Sequence, residues 1–222
     1  MSDFTIEELD RDGALQEALA AVHGDTRAGL FRKALVGGAA LLGAIPASAA
    51  AQSDGDVHIL NYALTLELIQ DSFYSEVERI GAIKGPLAEQ ARVVAEHERA
   101  HVRAFQEVLG DKAVKRPRFD FRGATENADR FRRTAVAFED LAVAAYKGAA
   151  PQIKSKAYLM PALAIHTVEA RHAAWIRRLA NIVPAADAFD EPRSEASTLK
   201  IVENADFTVQ MQSSGRAPRF TG

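Results

Sequence analysis

Two four-residue stretches pair a carboxylate with an imidazole three positions later: Glu98-Arg99-Ala100-His101 and Glu169-Ala170-Arg171-His172. On an α-helix, residues three apart share a face, so each stretch directs both groups at one spot. Two other helical stretches each carry a glutamate on an otherwise apolar face. Glu67 is flanked by Leu64, Leu66 and Leu68; Glu139 shares a stripe with Ala135, Ala142 and Tyr146, which favours it over the adjacent Asp140. Four helices offering Glu, Glu-x-x-His, Glu and Glu-x-x-His are the inventory of a two-metal carboxylate site inside a bundle. Such a set suits two iron or two manganese ions, which accept carboxylate oxygens plus imidazole. Without metal the same carboxylates would be buried at close range and repel. Taken singly, Glu98 and His101 read equally well as a surface pair in the charge-rich run Glu96-His97-Glu98; the six together favour a metal site. Glu67, Glu98 and His101 would serve one ion with bridging from the other half, and Glu139, Glu169 and His172 the reverse. Spacing leaves the bridging carboxylates open.

Several neighbours carry two readings. Tyr74 and Tyr146 each follow a ligand glutamate by two helical turns. They read best as amphipathic core tyrosines, with a role as radical or hydrogen-bonding partners of the metals as the alternative. His166, one turn before Glu169, reads as a hydrogen-bonded structural histidine rather than a support for the ligands. Asp71, one turn after Glu67, is an ambiguous candidate for supporting the ligands.

Composition narrows the class. At 222 residues the chain has room for one domain plus extra segments, and its 48% hydrophobic content is that of a globular protein. A net charge of −3 makes no electrostatic case for nucleic acid. The absence of cysteine excludes disulfides, thiolate metal sites and cysteine nucleophiles.

The elements that must position the six residues follow in order. Residues 1–51 hold a polar extension, a basic patch from Thr26 to Lys33, an apolar run from Ala34 to Ile45 and a small-residue tail at 47–51. This reads as an export signal cleaved near residues 49–51, giving a periplasmic or extracellular protein with no stable membrane span after cleavage; the run falls short of the ~20 residues of a mature anchor. The patch resembles a twin-arginine signal, except that Ala28 stands where the second arginine belongs, so the general secretory route stays open. An amphipathic helix that is never removed is the alternative. Helical periodicity then runs over about residues 56–83, 86–109, 123–147 and 152–181, with Pro161 expected to kink the last or delay its start. The domain is all-α, with a strand conceivable only around Phe119-Asp120-Phe121. Short connections make the first two and last two helices hairpins. The stretch from Gly110 to Arg122, extended at about 3.3 Å per residue, covers nearly the length of a 25-residue helix at about 1.5 Å per residue. One long crossover therefore joins the hairpins in a four-helix bundle spanning residues 54–182. Residues 183–222 form a C-terminal extension, with a short helix over 194–203 and a tail that covers the bundle or is partly disordered.

Asn61-Tyr62-Ala63-Leu64-Thr65-Leu66-Glu67 with Phe73-Tyr74, Phe138 to Tyr146 with Gly148-Ala149-Ala150-Pro151, Val168 to Ala174, and Asp187 to Pro192 resemble the ferritin-like domain proteins related to plant desiccation-associated proteins. The resemblance covers roughly residues 54–195. His97-Glu98 departs from the Asp-Glu pair common in that family's second helix. The resemblance implies a ferritin-like four-helix bundle and an exported bacterial protein.

The expected function is dioxygen or peroxide chemistry, or Fe(II) oxidation, in stress defence. Metal ions and dioxygen or peroxide are the expected partners, and a homodimer is possible. A stress- or desiccation-related structural protein using the bundle as a scaffold is the alternative. Manganese-catalase chemistry, with a similar ligand set, is a third; a twenty-four-fold iron-storage cage has nothing in its favour.

Overall fold

The computed structural model describes residues 53–209. The export segment expected in 1–51 and the end of the C-terminal tail lie outside them. The described chain is a four-helix bundle with one further short helix and a two-residue ribbon, so the fold is all-α: α1 (Asp54–Ile80), α2 (Pro86–Leu109), α3 (Ala128–Ala149), α4 (Lys156–Leu179) and α5 (Glu195–Ala205), with β1 (Arg118–Phe119) and β2 (Thr208–Val209).

Helix ends are set by local chemistry. Ser53 caps α1 by accepting from the Asp56 N–H at 3.1 Å. Gly81, at φ 65°, takes the left-handed conformation that ends it three residues short of the expected Ile83. Pro86 opens α2, where its missing N–H costs nothing. The third helix starts at Ala128, five residues later than periodicity suggests. Asn127 accepts from the N–H groups of Asp129 and Arg130 at 3.0 Å each, while Phe121 and Ala124 turn inward as part of the crossover. The fourth starts at Lys156 instead of near Gln152. Pro151 sits in a 3-10 turn, and buried Asp56 on α1 accepts from the N–H groups of Lys154 and Ser155 at 2.8 and 3.2 Å. Pro161 lies inside the second turn of α4.

Helices α1 and α2 pack as one hairpin and α3 and α4 as the other; α1 also faces α3, and α2 faces α4. Residues 110–127 cross between the hairpins. Arg116 anchors this crossover to α1 through Asp71 and through Ser72 Oγ at 2.7 Å. Asp71 also accepts from Ser75 at 3.1 Å, so it serves the crossover.

Below the middle of the bundle Phe73 organises an aromatic cluster. Its ring meets Tyr74, Phe121 and Phe138 edge-on at centroid distances of 5.2, 5.2 and 5.1 Å and stacks on Phe131 at 5.6 Å. Phe207 joins through Phe121 and Phe138. One cluster thus holds α1, α3, the crossover and the C-terminal extension together. The expected strand around residues 119–121 reduces to Arg118–Phe119, paired antiparallel with Thr208–Val209. Helix α5 packs on α3, and the segment before it lies so close to α3 that a Cβ at Gly148 would collide with the Arg193 carbonyl.

Phe73 is fully buried, and its truncation removes four ring contacts at once. Phe73→Ala is expected to destabilise the bundle by about 3–5 kcal/mol, read as a lower denaturant midpoint with an unchanged slope. A loss below about 1 kcal/mol would mean that the cluster does not hold the fold together.

Candidate metal centre

The four glutamates come from four different helices and are fully buried at one level of the bundle; His101 and His172 are nearly so. Each sits where the helical repeat turns it inward. Asp140 instead points out to Arg177 at 2.7 Å, which settles the choice between it and Glu139. Glu67, Glu98, His101 and Glu169 bring one donor atom each within 4.8 Å of one another, and Glu139, Glu169 and His172 form a second such group. Glu169 belongs to both. Glu98 also reaches both halves, its Oε2 lying 3.5 Å from His101 Nδ1 and its Oε1 3.2 Å from His172 Nδ1. Glu98 and Glu169 therefore stand between the two groups, while Glu67 and Glu139 lie at the ends.

The arrangement is reciprocal. His101 Nδ1 lies 3.2 Å from Glu169 Oε1, and His172 Nδ1 faces Glu98 in return, so α2 and α4 run antiparallel. Likewise Tyr74 on α1 donates to Glu139 on α3, and Tyr146 on α3 donates to Glu67 on α1. The two tyrosines are buried in the core, as their spacing suggests, and they also hold the terminal carboxylates. His166 takes no part: its Nε2 is buried without a hydrogen-bond partner, contrary to the hydrogen bond expected of it.

Three contributors escaped the sequence reading. His97 bonds His172, its Nδ1 2.9 Å from His172 Nε2. Gln70 donates to Glu169 Oε2 at 3.4 Å. Gln90, fully buried on α2, lies beside the Tyr74 hydroxyl, though neither of its polar atoms makes a well-formed hydrogen bond. Position alone could have signalled two of them: His97 lies one turn before His101, and Gln70 one turn after Glu67.

Electrostatics divide the carboxylates. Burial pushes Glu139 up to about 8, outweighing the lowering by the His172 imidazole, with smaller additions from the charges of Glu169 and Glu98. Burial also drives Glu67 well above the carboxylate range, helped by Glu98. The two central glutamates go the other way. Burial would raise Glu98 and Glu169, but the facing imidazoles of His101 and His172 outweigh it and hold both below the usual value. Burial disfavours the charged imidazoles, yet the carboxylates around them raise His101 and His172 well above the ordinary histidine value.

Proton sharing does not satisfy the cluster. Both oxygens of Glu98, Glu139 Oε2, Glu169 Oε1 and His172 Nδ1 are buried with no hydrogen bond; neighbouring charges lie close but out of line. A buried polar atom left unpaired costs about 1–3 kcal/mol. These orphaned atoms converge on the space between the helices, and they are carboxylate oxygens plus imidazole, the donors that iron and manganese accept. The residues fit a pair of such ions, and the buried cluster is compatible with a two-metal site.

Residues 55–181 match the family described as ferritin-like domain. No curated protein matches the chain.

The titration pattern fixes the sign of a pH effect in metal-free protein. Glu139 keeps a proton in the fold between about 4.5 and about 8, where the unfolded chain has lost it. Its contribution to stability therefore falls as pH rises through that window, and the raised His101 and His172 act in the same direction above their ordinary 6.5. The melting temperature of chelator-treated protein is expected to drop from about pH 6 to about pH 8.5, and added Mn(II) to abolish the drop by displacing these protons. A flat or rising profile without metal would contradict the charge distribution described here.

Proposed function

The chain belongs to the ferritin-like domain family, and on that premise we propose that it holds two iron or two manganese ions and carries out dioxygen or peroxide chemistry, or Fe(II) oxidation, in stress defence. The observation that carries this reading is the set of unpartnered buried oxygens on Glu98, Glu139 and Glu169 beside the unpartnered His172 Nδ1. A protein using the bundle only as a scaffold gains nothing from such atoms.

Glu98 and Glu169, each of which reaches both groups, would help to hold both ions; Glu67 with His101 and Glu139 with His172 would complete the two positions. Bound at these positions, iron or manganese would supply the redox steps. The chain's own residues prepare the place. Full burial of the four carboxylates keeps bulk water from competing for the donors. Tyr146 and Tyr74 hold Glu67 and Glu139 by one oxygen each, which orients the other. Their hydroxyls are held protonated, for burial and the adjacent carboxylates raise Tyr74 and Tyr146 well above the phenol range. They can therefore donate at any physiological pH.

Export to the periplasm or beyond is part of the proposal, and so is the relation to desiccation-associated proteins. Their support is the basic patch and apolar run of residues 26–51 and the resemblance over residues 54–195. Among the described residues no helix is long and apolar enough to cross a membrane.

The test is metal content and oxygen consumption on the same preparation. Purified protein is expected to carry about two iron or manganese ions per chain and to consume oxygen on Fe(II) addition. The Glu98→Ala, Glu169→Ala double variant, which removes both central carboxylates, should retain neither property while remaining helical. A metallated protein without oxygen or peroxide turnover would reject the redox reading in favour of a metal-stapled scaffold. A folded wild-type protein that binds no metal would reject both.

A further inference from the structure

The two hairpins present matching ligands, yet the residue just before each Glu-x-x-His pair differs between them. His97 precedes Glu98 as Val168 precedes Glu169. His97 Nδ1 lies 2.9 Å from His172 Nε2, with the ring centroids 5.1 Å apart and the planes inclined by 15°. The difference between those two distances is what two imidazole radii span. The rings must therefore meet edge to edge, nearly in one plane, and that aligns a ring N–H with the facing lone pair. Such a bond needs one donor and one acceptor, so it selects tautomers.

The far side of His172 decides which. Its Nδ1 is buried among Glu98 Oε1 at 3.2 Å and Glu139 Oε2 and Glu169 Oε2 at 3.6 Å each, without a hydrogen bond. If this nitrogen is a metal ligand it carries no proton, and the proton of His172 resides on Nε2 and is donated to His97 Nδ1. The equivalent place on the other hairpin holds a valine, which can neither donate nor accept. His101 is also the more open ligand, with a side-chain exposure of 11% against 3% for His172.

We infer that His97 is a positioning residue that locks His172 with Nδ1 turned to the metal, and that it makes the metal position served by His172 the tighter of two unequal positions. The inference rests on the two-metal reading. An imidazole does this differently from a carboxylate in the same place: it fixes the ring without adding negative charge to a cluster that already holds four glutamates.

The experiment has two parts. In uniformly 15N-labelled protein loaded with zinc as a diamagnetic probe, a nitrogen–nitrogen coupling across the hydrogen bond should join His172 Nε2 to His97 Nδ1, with the proton on His172. Anaerobic Mn(II) titration of wild-type protein should resolve two unequal positions. His97→Phe keeps a planar ring and removes the acceptor; it should weaken the tighter position by about ten- to hundredfold and leave the weaker one in place. His97→Asn, whose side-chain oxygen can stand near the place of Nδ1, should restore most of the loss. Absence of the coupling, a proton on His172 Nδ1, or a His97→Phe isotherm equal to wild type would overturn the inference while leaving the metal site standing. Should His97→Phe fail to fold, the coupling and His97→Asn decide. Wild-type protein that takes up no metal overturns both this inference and the reading beneath it.

Discussion

Four glutamates buried at one level of a small helical bundle are the constraint around which the rest of this structure is arranged. Carboxylates withdrawn from water and placed within a few ångströms of each other repel unless protons, cations or hydrogen-bond donors compensate them. The bundle supplies some of each. His101 and His172 stand against the central pair, and Tyr74 and Tyr146 donate to the terminal pair. The compensation is incomplete at the atoms that face one another across the centre. A purely structural polar core would be expected to close such gaps, because each open atom weakens the fold. Here the gaps converge, an arrangement compatible with a shared ligand.

Compensation by exchange between elements also explains the topology. Tyr74 serves the glutamate of α3, and Tyr146 serves that of α1; His101 meets Glu169, and His172 meets Glu98. Each hairpin stabilises the charge that the other buries. Each imidazole also faces the carboxylates of its own hairpin, His101 lying 3.2 Å from Glu67 and His172 3.6 Å from Glu139, so the exchange adds to that support and couples the two hairpins. Reciprocity of this kind requires α1 to lie antiparallel to α3 and α2 antiparallel to α4. A crossover running the length of the bundle satisfies that requirement, whereas a short link between α2 and α3 would force those two helices antiparallel.

Much of this was legible in the sequence because the helical repeat is a strong signal. The spacing of Glu98 with His101 and of Glu169 with His172, the lone Glu67 among leucines, and the long Gly110–Arg122 stretch led to the all-α bundle and its crossover. Other features were not legible, for physical reasons. The start of α3 at Ala128 depends on Asn127 capping in place and on Phe121 turning into a cluster built by distant residues. The start of α4 depends on Asp56, about a hundred positions earlier, accepting the N–H groups of Lys154 and Ser155 just before it. The tyrosines illustrate the same limit. Their spacing put them on the inner face, but which carboxylate each one meets is a property of helix register across the bundle. His97 was hidden in a charge-rich run whose local composition reads as surface; only its contact with His172 gives it a role.

Register is also what connects the aromatic cluster to the centre. Tyr74 follows Phe73 directly, so the ring that anchors α1 to α3 and to the crossover fixes the neighbouring hydroxyl against Glu139. A slide of α1 by even one ångström along α3 would strain both tyrosine bonds together, because they run in opposite directions between the same two helices. The antiparallel pair of bonds therefore resists sliding either way, and the packed phenyl rings resist it on one side. Rigid support outside a ligand set is what keeps donor atoms converged when no ligand is bound. In this bundle it comes from residues that carry no chemistry of their own, which is why Phe73, Phe131 and the inward-turned Phe121 matter to the centre as much as to the core.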